Sequence, residues 1–162
     1  MHPRAVALLQ QLDLHPHPEG GWYREVFRSP WTVRPDDRRP SRNALTTIYY
    51  LLADGGYSRW HRVSSDEVWH FYEGDPLEIF WLEDDGTRWM QTTLGPVGEG
   101  SAPVHVVPAS RWQACRTSGA YTLVGCTVGP GFDFKDFEML ADSPRDAELV
   151  RRHFPGVAEA ML

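Results

Sequence analysis

The stretch GGYSRWHRVSSDEVWHFYEG, residues 55–74, decides how the rest of the chain is read. Glycine turns bracket two imidazoles, several carboxylates and a run of aromatic residues. Residues 58–63 and 67–72 are mostly bulky, β-branched or aromatic, and Ser64, Ser65 and Asp66 between them favour a turn. The pattern predicts a β-hairpin. Alternation along a strand puts Glu67, Trp69 and Phe71 on one face and Val68, His70 and Tyr72 on the other, and His61 shares a face with Val63. Pairing around the turn would bring His61 to Glu67 and turn His70 away. An imidazole beside a carboxylate is the minimum set for proton transfer or metal binding.

On the N-terminal side, residues 44–53 are nearly unbroken in apolar and β-forming types, as in a central strand covered on both faces. Residues 22–28 read as a strand, entered through HPHPEGG (15–21), whose prolines and glycines require an ordered turn. Val6, Leu8, Leu9 and Leu12 have helical spacing, with Pro3 suited to a first helical turn. Residues 29–43 carry three prolines and six charges, which predicts a loop that is either a mobile lid or a solvated surface connection.

On the C-terminal side, residues 77–82 and 88–94 flank Glu83-Asp84-Asp85-Gly86, a tight-turn signal that predicts a second hairpin. Residues 104–107, 111–116 and 121–128 read as three further strands. Ser143 and Pro144 open a helix carrying Leu149 and Val150 toward His153, and Pro155 marks the start of a last short helix. Many short strands separated by turns give an all-β sandwich or barrel, and the length suits a single domain over 1–162.

The net charge of −6 argues against a nucleic-acid partner and against an anionic membrane surface. No apolar run reaches the roughly 18 residues of a membrane span, and the N-terminus lacks a signal peptide's apolar core, so a cytoplasmic location is expected. Cys115 and Cys126 fall in predicted strands and read as small reduced core residues, with a disulfide as the alternative.

The spacing of Gly55, His61, Glu67 and Gly74 resembles the first signature of the cupin superfamily, with Val63 where its second histidine stands. In the second signature Pro108 matches, while Ser110 replaces a glycine and Gln113 the last histidine. Four blocks in order resemble the cupin family DUF985, or Cupin 5: HPEGGWYREVFRS (17–29), the 55–74 block, VVPASRWQACR (106–116) and GCTVGPGFDFKDFE (125–138). The resemblance implies a double-stranded β-helix, a small jelly roll, with a short N-terminal helix and a C-terminal helical tail. It also implies a small-molecule ligand in the barrel and a homodimer. Two of the four usual metal ligands survive, so a divalent metal on His61, Glu67 and Gln113 would be weak or labile.

By analogy with metal-independent sugar epimerases of the same fold, the expected chemistry is isomerisation or epimerisation of a sugar or sugar nucleotide. His61 would be the base and Glu67 the group that orients it, Arg24 would hold an anionic group, and Tyr23, Trp69, Phe71 and Gln113 would contact substrate. The rivals are a metal-dependent oxygenase or isomerase using His61 and Glu67, and a non-catalytic binding module. The HPEGGWYRE and GPGFDFKDFE blocks, with Glu19, Asp133 and Asp136, read equally as pocket residues or as turn chemistry.

Overall fold

The structure is a computed structural model that describes residues 1–83, 88–153, 156 and 161. The tight turn expected at 84–87 and the short helix expected from Pro155 lie outside the described residues.

Helix α1 (Pro3–Gln11) starts the chain, with Pro3 in its first turn and the His2 imidazole accepting from the Arg4 amide. There follow β1 (His15–Pro16), β2 (Trp22–Arg28), β3 (Thr32–Val33), β4 (Arg42–Asn43), β5 (Thr46–Ala53), β6 (Tyr57–Val63) and β7 (Asp66–Gly74). Next come β8 (Leu77–Leu82), β9 (Trp89–Leu94), β10 (Ser101–Ala102), β11 (Val104–Val107), β12 (Gln113–Thr117) and β13 (Tyr121–Gly129). A 3₁₀ turn (Phe134–Asp136), β14 (Phe137–Met139), a second 3₁₀ turn (Leu140–Asp142) and helix α2 (Pro144–His153) complete it.

The long strands form two facing six-stranded sheets, ordered β1-β2-β5-β13-β7-β11 and β10-β9-β8-β12-β6-β14. Neighbours pair antiparallel except β10 with β9. Tyr50, Leu52, Trp69, Val107, Val124 and Cys126 of the first sheet meet Leu77, Ile79, Leu94 and Cys115 of the second in the central core. Leu51, Ala53 and Leu123 face outward beneath Ala5 and Leu8 of α1, which explains why residues 44–53 lack a polar face. On the outer side of the second sheet, Trp60, Phe80, Leu82, Trp112 and Ala114 are covered by Leu140, Ala147 and Val150. Each apolar stripe leaves water at about 25 cal/mol per Å². Among the described residues no helix is long and apolar enough to cross a membrane.

The expected first hairpin is not formed. β6 pairs with β12 and β14, whereas β7 pairs with β13 and β11, so the Ser64–Ser65 turn carries the chain from one sheet to the other. Local composition specifies two strands and a turn, but which neighbours those strands hydrogen-bond is decided by the whole sheet order. The consequence for chemistry survives on a different footing. His61 and Glu67 face each other across the sandwich, not along a ladder.

The 29–43 segment is not a free loop. β3 pairs with β4, and the Arg42 guanidinium grips Asp136 at both oxygens, 2.7 and 2.8 Å, with Arg39 on the same carboxylate at 3.0 Å. The two guanidinium groups hold the Asp136 carboxyl below its usual range. Cys115 and Cys126 are free and buried, as in the reduced core reading.

Candidate active site

At one end of the sandwich the sheets part around a cavity of about 410 Å³. That volume lies toward the small end of the ~300–1,000 Å³ range of small-molecule pockets. Polar groups enter from three directions: His17 and Glu19 from the turn before β2, His61 from β6, and Glu67 from β7. Val63, Cys126, Val128, Phe132, Phe134 and Phe137 supply the apolar wall.

A backbone irregularity places His61. Gln113 pairs with His61 and Cys115 with Ser58, so three residues of β6 span two of β12, a bulge that turns both Ser58 and His61 inward. The His61 ring is 2 % exposed, its Nδ1 lies 2.8 Å from the Arg59 carbonyl, and Phe137 stacks on it at 5.5 Å. A carbonyl can only accept, so Nδ1 carries the proton and Nε2 presents a lone pair to the Glu19 Oε2, 3.3 Å away. Burial lowers the His61 pKa, with Glu67 and the Arg59 carbonyl partly offsetting this.

Glu19 reaches that position because HPEGG closes on itself. Gly20 N–H donates to the His17 carbonyl, His17 N–H donates to the Gly21 carbonyl, and Arg59 N–H ties the Glu19 carbonyl to β6 at 2.7 Å. Gly20 and Gly21 both take positive φ, +113° and +66°, and a Cβ on either would stand 2.6–2.7 Å from a carbonyl oxygen. Burial raises the Glu19 carboxyl to about 8, only partly offset by Tyr50 and Arg59. The pair with His61 is therefore neutral near pH 7, with the proton between Nε2 and Oε2 on the carboxyl. His17 Nδ1 lies 3.4 Å from the same Oε2 and accepts from the Glu19 amide, and burial takes this imidazole down to about 3.

Glu67 is held from behind. Gln113 donates its amide N–H to Glu67 Oε2 at 2.6 Å, and Trp69 Nε1–H donates to the Gln113 oxygen at 3.3 Å. Burial raises Glu67 to about 7; His61 and Gln113 oppose the rise and Glu19 adds to it.

The residues expected at the site divide into two sets. His61, Glu67, Tyr23 and Arg24 line the cavity. Trp69, Phe71 and Gln113 do not: Trp69 is core, Phe71 packs against that core, and Gln113 stands behind Glu67. Alternation put Trp69 and Phe71 on the same face as Glu67, but strand length carries them away from the open end. Arg24 meets the Leu12 carbonyl at 3.2 Å and Asp13 at 3.6 Å, not Glu67. His70 lies outside the cavity lining. The direct partner of His61 is Glu19, not Glu67. His17 and Glu19 were legible only as a histidine and a carboxylate set beside a double glycine.

The metal implied by the resemblance finds a poor ligand set. Val63 offers methyl groups to the cavity, and Gln113 turns its N–H toward Glu67 while its oxygen accepts from Trp69. Among the described residues no group of three or more His, Cys, Asp or Glu is arranged to hold a metal ion. Protein purified without chelator is expected to carry well under one transition-metal ion per chain by elemental analysis. Val63→His with Gln113→His should raise metal affinity, and one tightly held ion per unaltered chain would refute the argument.

The sequence pattern of Cupin_5, the cupin superfamily family DUF985, matches residues 6–140. An uncharacterized protein of Saccharomyces cerevisiae is 26% identical over 166 residues, covering 91% of this chain and 83% of its own. A solved hypothetical protein from Leishmania major superposes with a TM-score of 0.82 at 31% identity, covering 97% of each chain. Oxalate decarboxylase of Bacillus subtilis superposes at 0.59 with 17% identity over 93% of this chain and 37% of its own, a likeness of fold alone.

Proposed function

This chain belongs to the DUF985 family of the cupin superfamily, and from that premise we propose that it is a proton-transfer enzyme of sugar isomerase or epimerase type. The substrate is a polar, hydroxyl-bearing small molecule bound in the cavity. The observation that carries the reading is the neutral His61–Glu19 pair, 3.3 Å apart, in the same cavity as Glu67.

Isomerisation beside a carbonyl needs one group to take a proton from carbon and another to return it, each with a pKa near the working pH. Burial raises Glu67 to about 7, into the range where a carboxylate is basic enough to accept a proton from carbon. The His61–Glu19 pair holds one proton on a carboxyl raised to about 8 and can donate. In the forward step the C–H bond breaks, its electron pair enters an enediolate and its proton goes to Glu67. For epimerisation the pair then protonates the same carbon from the opposite face. For isomerisation the pair protonates the carbonyl oxygen, the neighbouring hydroxyl gives its proton back to Glu19, and Glu67 returns its proton to the adjoining carbon. Burial raises both carboxyls toward neutrality, and geometry divides their roles: Glu19 holds its proton against His61 Nε2, while Glu67 accepts from Gln113 on the other side of the cavity. The apolar wall of Phe132, Phe134 and Phe137 limits water around the intermediate.

Incubation in D₂O with a panel of aldoses, ketoses, sugar phosphates and sugar nucleotides tests the reading by proton NMR. Deuterium is expected at the carbon beside the carbonyl of at least one compound, and neither His61→Ala nor Glu67→Gln should support it. A compound that binds the cavity and exchanges no proton would make this a binding module instead.

A further inference from the structure

The hydrogen bonds of the two arginines at the cavity bear on the charge of its ligand. Arg24 and Arg28 are the arginines that line the cavity, where no lysine appears. A guanidinium has five N–H donors. In Arg28, Nε and Nη2 are spent on the two oxygens of Glu25 at 3.0 and 2.7 Å. Its Nη1 reaches Asn43 Oδ1 at 2.9 Å and the Phe132 carbonyl at 3.0 Å. Arg28 is thus a tie between β2 and the aromatic segment. Arg24 differs. Its one hydrogen bond runs from Nη1 to the Leu12 carbonyl, and Asp13 stands 3.6 Å from that same nitrogen. Nε and Nη2 keep the edge of the fork without a protein partner among the described residues, and the side chain is 49% exposed.

Resting on the reading of this cavity as a small-molecule site, we infer that Arg24 anchors a carboxylate of the ligand, and that the substrate class is a small monocarboxylic acid bearing hydroxyl or carbonyl groups. The fork matches a carboxylate through two parallel N–H bonds. Placement in the cavity supports this polarity of binding. The inner end is buried and apolar and holds Glu67, the carboxyl that must ionise to act as base, so a charged end there would be desolvated beside a like charge; the charged end of the ligand stays at Arg24 and the neutral reacting end goes inward. Phosphate fits less well. Its second charge would be unmatched by one arginine and would face Asp13, Glu25 and Asp133 around the same mouth. Phe134, 51% exposed and packed edge-on to Phe132 at 5.0 Å, offers an apolar lip for the C–H face of the molecule.

Titration calorimetry on the full chain decides the matter with matched probes: glucuronate against glucose, mandelate against mandelamide, and glucose 6-phosphate as the dianion. At least one acid is expected to bind tenfold or more tightly than its neutral counterpart, with the preference shrinking as salt rises. Arg24→Gln should abolish the preference and Arg24→Lys should restore part of it, with thermal melts confirming that both variants fold. Equal binding of acid and neutral partner, a preference that survives Arg24→Gln, tighter binding of the phosphate, or no binding of any acid would overturn the inference. The two proposals fail separately. An acid held through Arg24 that exchanges no proton in D₂O removes the catalytic reading and leaves the anchor. A neutral sugar that exchanges with unchanged rate in Arg24→Gln removes the anchor and leaves the catalysis.

Discussion

Gly20→Ala is expected to destabilise the fold by about 3 kcal/mol and to lower the melting temperature by roughly 6–12 °C. Two costs add. Gly20 sits at φ +113°, where a residue with a Cβ is strained, and the added methyl would stand 2.6 Å from the Tyr57 carbonyl oxygen. That oxygen belongs to β6 backbone and cannot swing aside. The turn must open instead, which also strips the Tyr50 hydroxyl from the Gly20 carbonyl, now 2.9 Å away, and moves Glu19 off His61. Gly100→Ala is the control, because Gly100 has φ +79° with nothing within 4 Å of a Cβ, leaving backbone strain alone, about 1 kcal/mol. Thermal melts of the two variants side by side check the difference. A Gly20→Ala melt within 2 °C of the parent would mean that the turn yields and that it does not hold Glu19 in place.

That turn also marks where the sequence stops being readable. Strand positions follow from side-chain type: 104–107 and 77–82 coincide with β11 and β8, and 22–28 with β2. Pairing does not follow from side-chain type. The Ser64–Ser65 turn has the composition of a hairpin, yet it is a corner between sheets, because β12 and β13 outcompete the chain neighbour for hydrogen bonds to β6 and β7. Alternation correctly turned His61 and Glu67 inward and His70 outward. It could not say how far along the barrel the cavity ends, so Trp69 and Phe71 were expected at a site they do not reach. Glu19 is separated from His61 by more than forty residues, and no local pattern encodes a meeting made by β2 and β6 lying in different sheets.

Glu19→Gln is expected to change stability and catalysis in opposite directions, and pH separates the two. The carboxyl of Glu19 is raised from 4.5 to about 8 in the fold. Between those values the folded chain keeps a proton that the unfolded chain has released, so stability falls as pH rises through this window. Burial moves His17 the other way, from 6.5 down to about 3, so its contribution rises with pH over that range and is complete above 6.5. Glu67, raised to about 7, adds to the fall only up to that pH. The interval from about 6.5 to 8 therefore reports mainly on Glu19. One proton over that interval corresponds to roughly 2 kcal/mol, or about 4–8 °C in a domain of this size. Glutamine has nearly the shape of the protonated acid and can donate its N–H to His61 Nε2, but it does not ionise. The variant should match the parent only near pH 4.5 and below, gain on it steadily as pH rises, melt several degrees higher at about pH 8.5, and show a flatter profile between. Its solvent exchange should drop by about 10²-fold or more, because the amide cannot give up the proton that the pair supplies. Differential scanning calorimetry across pH 5–9, with exchange rates on the same samples, provides both readings. If Glu19→Gln destabilises the chain at pH 7, the parent pair is an ion pair with charged His61, and the neutral acid on which the mechanism depends is not there.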